Sequence, residues 1–163
     1  MNQDRDTTTK YQENLNNIKY MKAALKEAKK AYDKGEVPVG AVIVYQDKII
    51  ARAHNLRESK QIIHGHAEML ALMKAAKKLG TWRLEACDLY VTMEPCPMCA
   101  GAIIQARIRS LNYATLDYKA GVVESVVHLF DLPFNHKVQI NSGVLAKESQ
   151  TLIKDFFKKL RKK

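Results

Sequence analysis

Residues Asp88–Leu116 read DLYVTMEPCPMCAGAIIQARIRSLNYATL. "DLYVTM" has the β-branched and aromatic content of a strand, "PMCAGAIIQAR" that of a helix with Pro97 suited to its first turn, and "SLNYATL" that of a second strand. Working outward, "HAEMLALMKAAKKLG" predicts a helix ended by Gly80, and "AVIVYQDKIIARA" predicts a hairpin turning at Gln46-Asp47. From Ile18 onward, Met21, Leu25, Ala28 and Tyr32 recur at helical spacing until Gly35 and Pro38 stop the run. "KVQIN" reads as a strand, and "LAKESQTLIKDFFKKLRKK" as a closing amphipathic helix with Leu152, Ile153, Phe156 and Leu160 toward the core. "VVESVVHLF" fits strand or helix equally. Alternating strands and helices predict an α/β protein with a central, mostly covered sheet. Residues 1–17 are expected to form a polar leader, disordered or loosely attached, and 18–163 one domain.

The chain has 163 residues, 47% hydrophobic and 27% charged, an ordinary soluble composition. Its polar N-terminus is unlike a signal peptide and no run is apolar for long enough to span a membrane, so a cytoplasmic, reducing setting is expected. Three cysteines there point away from a disulfide framework and toward metal binding or catalysis. The net charge of +10 suits a nucleic-acid partner as well as it suits simple solubility.

The chemistry concentrates in two short segments. "EPCPMC" puts Cys96 and Cys99 on one turn at the start of a helix, and "GHAEML" does the same for His66 and Glu68. Helix N-termini carry free N–H groups and the positive end of the dipole, which favours thiolate. Cys96, Cys99 and His66 can point at one ion, leaving the fourth position that a catalytic zinc keeps for water. Glu68 can flank the metal without ligating it and shuttle a proton, since zinc lowers the pKa of a bound water toward ~7. Taken alone, C-x-x-C also fits a redox pair or half of a structural zinc clamp. Cys87 would complete such a clamp, and His64 of "HGH" competes as a ligand. His54, His128 and His136 read as surface or hydrogen-bonded histidines, and Cys87 as a core thiol.

Together, H-A-E followed by P-C-x-x-C matches the signature of the zinc deaminases. The blocks "GEVPVGAVIV", "ARAHNLRE", "HAEMLAL", "LGTWRLE", "LYVTMEPCPMCAGAI", "FNH", "GVLAKE" and "FFKKLRKK" resemble the bacterial tRNA-specific adenosine deaminases over Ile18–Lys163. "GTWRLE" and the C-terminal aromatics favour that family within the wider cytidine/deoxycytidylate deaminase superfamily. The resemblance implies a three-layer α/β/α cytidine-deaminase-like fold, a homodimer, and conversion of adenosine to inosine at the wobble position of tRNA(Arg). It makes His66, Cys96 and Cys99 ligands of one Zn2+ per subunit, Glu68 the proton shuttle, and Asn55 a hydrogen-bonding partner of the flipped purine. Lys119, Asn135, Lys158 and Arg161 become candidate RNA contacts.

The sequence departs from the family pattern in three places. His64-Gly65 stands where Thr-Ala is usual, Tyr118 where proline is, and Glu124 where glycine is. The last two fall in the loop expected near the anticodon, where the acid at Glu124 would weaken phosphate contact. Two other functions stay open on the residues alone: a deaminase of free nucleobases or nucleotides, and a non-catalytic RNA-binding subunit. The second has no use for Glu68.

Overall fold

The computed structural model describes the backbone from Asn2 to Lys163 and side chains from Thr7 onward. In chain order the elements are α1 (Asn2–Asp33), β1 (Gly40–Tyr45), β2 (Lys48–His54), α2 (Arg57–Lys60), α3 (Ala67–Leu79), β3 (Cys87–Met93), α4 (Pro97–Gln105), β4 (Ser110–Thr115), β5 (Gln139–Ser142) and α5 (Ala146–Arg161). A 3₁₀ turn at Leu129–Asp131 precedes β5. Gln46 and Asp47 both take positive φ (50° and 61°), which matches the right-handed twist of the strands they join and makes the β1–β2 hairpin tight.

The five strands form one sheet in the order β2-β1-β3-β4-β5. β1 runs antiparallel to both neighbours, while β3, β4 and β5 are mutually parallel. A parallel pair needs a crossover, and α4 supplies it between β3 and β4.

Strand alternation sorts the core into two layers. Ala41, Ile43, Leu89, Val91 and Leu111 face Ala67, Ala71, Leu72 and Ala75 of α3 and Ile103 of α4. The intervening Val42, Val44, Tyr90 and Ala114 face Tyr20, Met21 and Ala24 of α1. α5 closes the same side, its buried Ser149 hydroxyl donating to the Thr92 carbonyl at 2.6 Å. Helices therefore cover both faces, as the expected three-layer arrangement requires.

Three expectations change. α1 starts at Asn2, so the segment read as a leader continues the helix, and residues 7–15 of it are exposed to solvent. Met1 and the side chains of residues 2–6 lie outside the described residues. "VVESVVHLF" forms neither strand nor α-helix, because the N–H groups of Val123, Glu124 and Ser125 are bound by the carboxylate of Glu94. Leu160, expected in the core, is 54% exposed, since α5 runs a turn past Phe156, its last buried residue. No helix of the described residues is long and apolar enough to cross a membrane.

Candidate active site

Two helix N-termini meet at the end of β3. His66 is the N-cap of α3 and Cys96 the N-cap of α4, with Pro97 at the first helical position. Neither side chain makes a capping hydrogen bond, and the imidazole and thiol face each other. Nδ1 of His66 lies 3.5 Å from Sγ of Cys96 and 3.5 Å from Sγ of Cys99. The three ligand atoms lie within 4.8 Å of one another. Zinc bonds of about 2.0–2.3 Å at tetrahedral angles separate nitrogen from sulfur by ~3.5 Å, so this donor set fits a divalent metal.

The electrostatics match that use. The hydrogen bond from Cys99, supported by His66, pulls the Cys96 thiol down to about 4. The same bond, together with burial, pushes Cys99 up. The contact with Cys96 raises His66. The coupling thus favours thiolate at Cys96 over Cys99, and a metal that binds both sulfurs displaces the remaining proton.

Glu68 sits one helical position inside α3, 4% exposed, and burial pushes its carboxyl up to about 7. It lines the same cleft as His66 and Cys96 but does not belong to the His–Cys–Cys group. That cleft, about 200 Å3, has Val37 and Val39 as apolar wall and Asn55 as a polar one. The Asn55 amide makes only long bonds, donating to the Val37 carbonyl at 3.4 Å and accepting from the Arg57 N–H at 3.5 Å, which leaves it capacity for a ligand. A second, wider cleft of about 600 Å3 opens alongside and shares Arg57, His66 and Cys96 with the first.

Two buried glutamates that went unnoticed in the sequence shape the rim. Glu94 accepts N–H groups from Asp117, Val123, Glu124 and Ser125, each at 3.0 Å, and the Ser125 hydroxyl. It thereby pins the loop whose Asp117 and Ala120 line the cleft. Glu36 accepts the N–H groups of Glu58 and Ser59 and seats α2, which carries Arg57 to the mouth. An acid beside the P-C-x-x-C motif was the available signal for Glu94. Nothing local marked Glu36.

The structure separates the remaining candidates. Cys87 is buried in the core, where burial raises its thiol to about 11, and it stands outside the metal-ligand group. His64 is exposed and also outside it. His54 bridges Glu27 at 3.2 Å and Lys34 at 3.0 Å, and His136 meets the Ile108 carbonyl at 2.8 Å. Lys119 is exposed two residues past Asp117. Asn135, Lys158 and Arg161 are exposed and do not line the cleft that holds Glu68; Asn135 accepts from Arg107 at 2.9 Å.

Comparison with known proteins agrees with this geometry. The model of the MafB19-like deaminase family matches residues 15–161. The tRNA-specific adenosine deaminase of Bacillus subtilis (strain 168) is 52% identical over 145 residues, covering 88% of this chain and 90% of that one. The chain belongs to the tRNA-specific adenosine deaminases. The family member from Aquifex aeolicus (strain VF5) is 48% identical, with 87% of this chain and 94% of its own covered. A solved structure from work on A-to-I editing by tRNA:A34 deaminases at the wobble position of transfer RNA superposes with a TM-score of 0.79 at 43% identity. It covers 82% of this chain and 97% of its own.

Within this deaminase, the departures acquire physical reasons. A Cβ at Gly65 would stand 2.8 Å from both Cα and N of Arg57, so glycine lets α2 approach the rim. The Glu124 carboxylate accepts a hydrogen bond from the buried Tyr113 hydroxyl, so this acid is tied to the protein. Tyr118 is exposed at the tip of the pinned loop.

Proposed function

We propose that this deaminase is zinc-dependent and converts the wobble adenosine of tRNA(Arg) to inosine and ammonia by attack of water at C6 of the purine. The observation that carries the reading is a buried carboxyl, Glu68, beside a three-ligand group, in a cleft that shares its rim residues with a wider one. Bound by His66, Cys96 and Cys99, zinc supplies the Lewis acidity that brings a water toward a pKa of ~7. Glu68 takes the proton from the water at its carboxylate oxygen and returns it to the purine as the C6–N bond breaks. Burial, which raises the Glu68 carboxyl, favours its holding the proton between the two transfers. Asn55 orients the base through its amide, and Val37 and Val39 exclude water from its face.

An extruded loop base reaches such a site at lower cost than a paired one, which suits an anticodon loop. The wider cleft leaves room for the polymer around it. Lys119, Asn135, Lys158 and Arg161 serve as outlying contacts to RNA. The apolar groove between α3 and α4, with Met73 and Trp82 exposed along it, supports a homodimer. A tRNA substrate is consistent with the cytoplasmic setting proposed for it.

The deciding experiment incubates the zinc-loaded protein with a tRNA(Arg) anticodon stem-loop and, separately, with free adenosine, adenine and deoxycytidylate. Inosine only in the RNA is the expected result. Turnover of a free base or nucleotide alone would replace this reading with small-molecule deamination. No turnover of any would leave an RNA-binding subunit.

A further inference from the structure

The side-chain amide of Asn55 is held in its cleft only by two long bonds, at 3.4 and 3.5 Å. Its direction therefore depends on the backbone that carries it. That backbone is the end of β2, where the Asn55 N–H donates to the Val39 carbonyl at 3.1 Å and His54 pairs with Gly40 across the hairpin. Gly40 is also where α1 presses on the sheet: a Cβ there would collide with the Ala24 carbonyl and stand 2.8 Å from the Cβ of Glu27.

Glu27 uses that close approach to reach His54. Its carboxylate, 4% exposed, accepts from Nδ1 of His54 at 3.2 Å and from the Lys30 ammonium at 2.8 Å. Nε2 of His54 meets Nζ of Lys34 at 3.0 Å. An ammonium only donates, so the Lys34 bond takes the lone pair of Nε2 and the ring hydrogen sits on Nδ1, facing Glu27. Burial raises the Glu27 carboxyl, but the bonds from Lys30 and His54 outweigh it and hold the group below its usual value. The imidazole is thus gripped at both nitrogens, and a buried polar network with its bonds made stiffens what it holds. His54 lines neither of the two clefts at the metal-ligand group, whereas Asn55, next in the chain, lines the inner one.

We propose that Glu27 and His54 are positioning residues for Asn55: their clamp fixes the end of β2 and with it the direction of the amide that orients the base. The proposal rests on the deaminase reading above and places part of the base alignment in a pair outside the cleft.

The test is a double-mutant cycle on the zinc-loaded protein with the anticodon stem-loop, read as single-turnover rates and as KM. His54→Leu should lose about ten- to a hundredfold in rate, the scale of a small misplacement of substrate, with KM near wild type because phosphates elsewhere set RNA affinity. In an Asn55→Ala background the same change should cost nothing further, since the residue it acts through is gone. His54→Asn, whose amide N–H can stand in for Nδ1–H, should recover most of the rate. Glu27→Gln repeats the cycle from the other side of the bond and decides the matter if His54→Leu does not fold. A merely structural clamp lowers Tm and adds its full cost in the Asn55→Ala background as well. Additive losses, a His54→Asn no better than His54→Leu, or wild-type rates in both His54→Leu and Glu27→Gln overturn the positioning role and leave the deaminase standing. A wild type inert on the stem-loop overturns the RNA reading and this proposal with it.

Discussion

Gly121 lies directly against the carboxylate of Glu94: a Cβ at that position would stand 2.6 Å from Oε2. Glu94 can gather four N–H groups only because nothing larger than hydrogen intervenes. Gly121→Ala forces the loop away from the carboxylate and strands buried polar groups. Overpacking of this kind costs about 1–3 kcal/mol, so Tm drops by several degrees, and activity on RNA drops further because the Asp117 wall moves. Thermal melts and stem-loop kinetics on one preparation check both, and a variant with wild-type values in each would refute the pinning role.

Glu68→Gln keeps the shape of the side chain and removes its ability to take a proton. Deamination should fall by ~10²–10⁴ or more, with metal content unchanged, since Glu68 is outside the ligand group. Single-turnover rates beside elemental analysis separate the two. Loss of metal in this variant would turn Glu68 into a ligand.

The three cysteines should part company. Cys96→Ser or Cys99→Ser removes a proposed ligand, so the purified protein should carry little metal and a chelator should inactivate it quickly. Cys87→Ser sits in the core and should retain full metal, losing about 1–3 kcal/mol for burying a hydroxyl. A metal-free Cys87→Ser would restore the structural clamp.

Glu36 makes a pH-dependent contribution to stability. Burial raises its carboxyl, but the N–H groups of Ser59 and Glu58, with Arg57 nearby, hold it below the usual carboxylate value. A depressed folded-state pKa stabilises the protein above the unfolded value of ~4.3, and that stability disappears as pH falls through the folded one. Glu36→Gln should therefore melt lower than wild type at pH 7, and the gap should close below about pH 4. A gap that stays constant across that range sinks the assignment.

Phosphate contact predicts a steep salt response. With a net charge of +10, stem-loop affinity should fall linearly on a log–log plot as salt rises, with a slope near −0.7 for each neutralised phosphate of single-stranded RNA. Lys119→Ala should flatten that slope by less than one unit. A flat response in the wild type removes phosphates from the interface.

Much of this was legible in the chain of residues. The strand and helix periodicities placed β1–β5, α3, α4 and α5, and the two cap-and-turn segments placed His66, Glu68, Cys96 and Cys99 at helix starts, because periodicity and capping act within a turn or two of backbone. Their common spacing told which elements exist and which side chains carry chemistry. Tertiary structure alone decided how the cleft is walled. The apolar run at Val122–Phe130 looked regular, yet the N–H groups of Val123, Glu124 and Ser125 are bound by Glu94, 31 residues away at Ser125, and a distant carboxylate overrides local propensity. Glu36 seats α2 from 22 residues off in the same way. Leu160 has the helical phase of a core residue, but burial depends on where the sheet ends, and α5 outruns it. Local sequence thus determined the candidate catalytic groups, while the long-range pairing of buried carboxylates with backbone donors decided the rim around them.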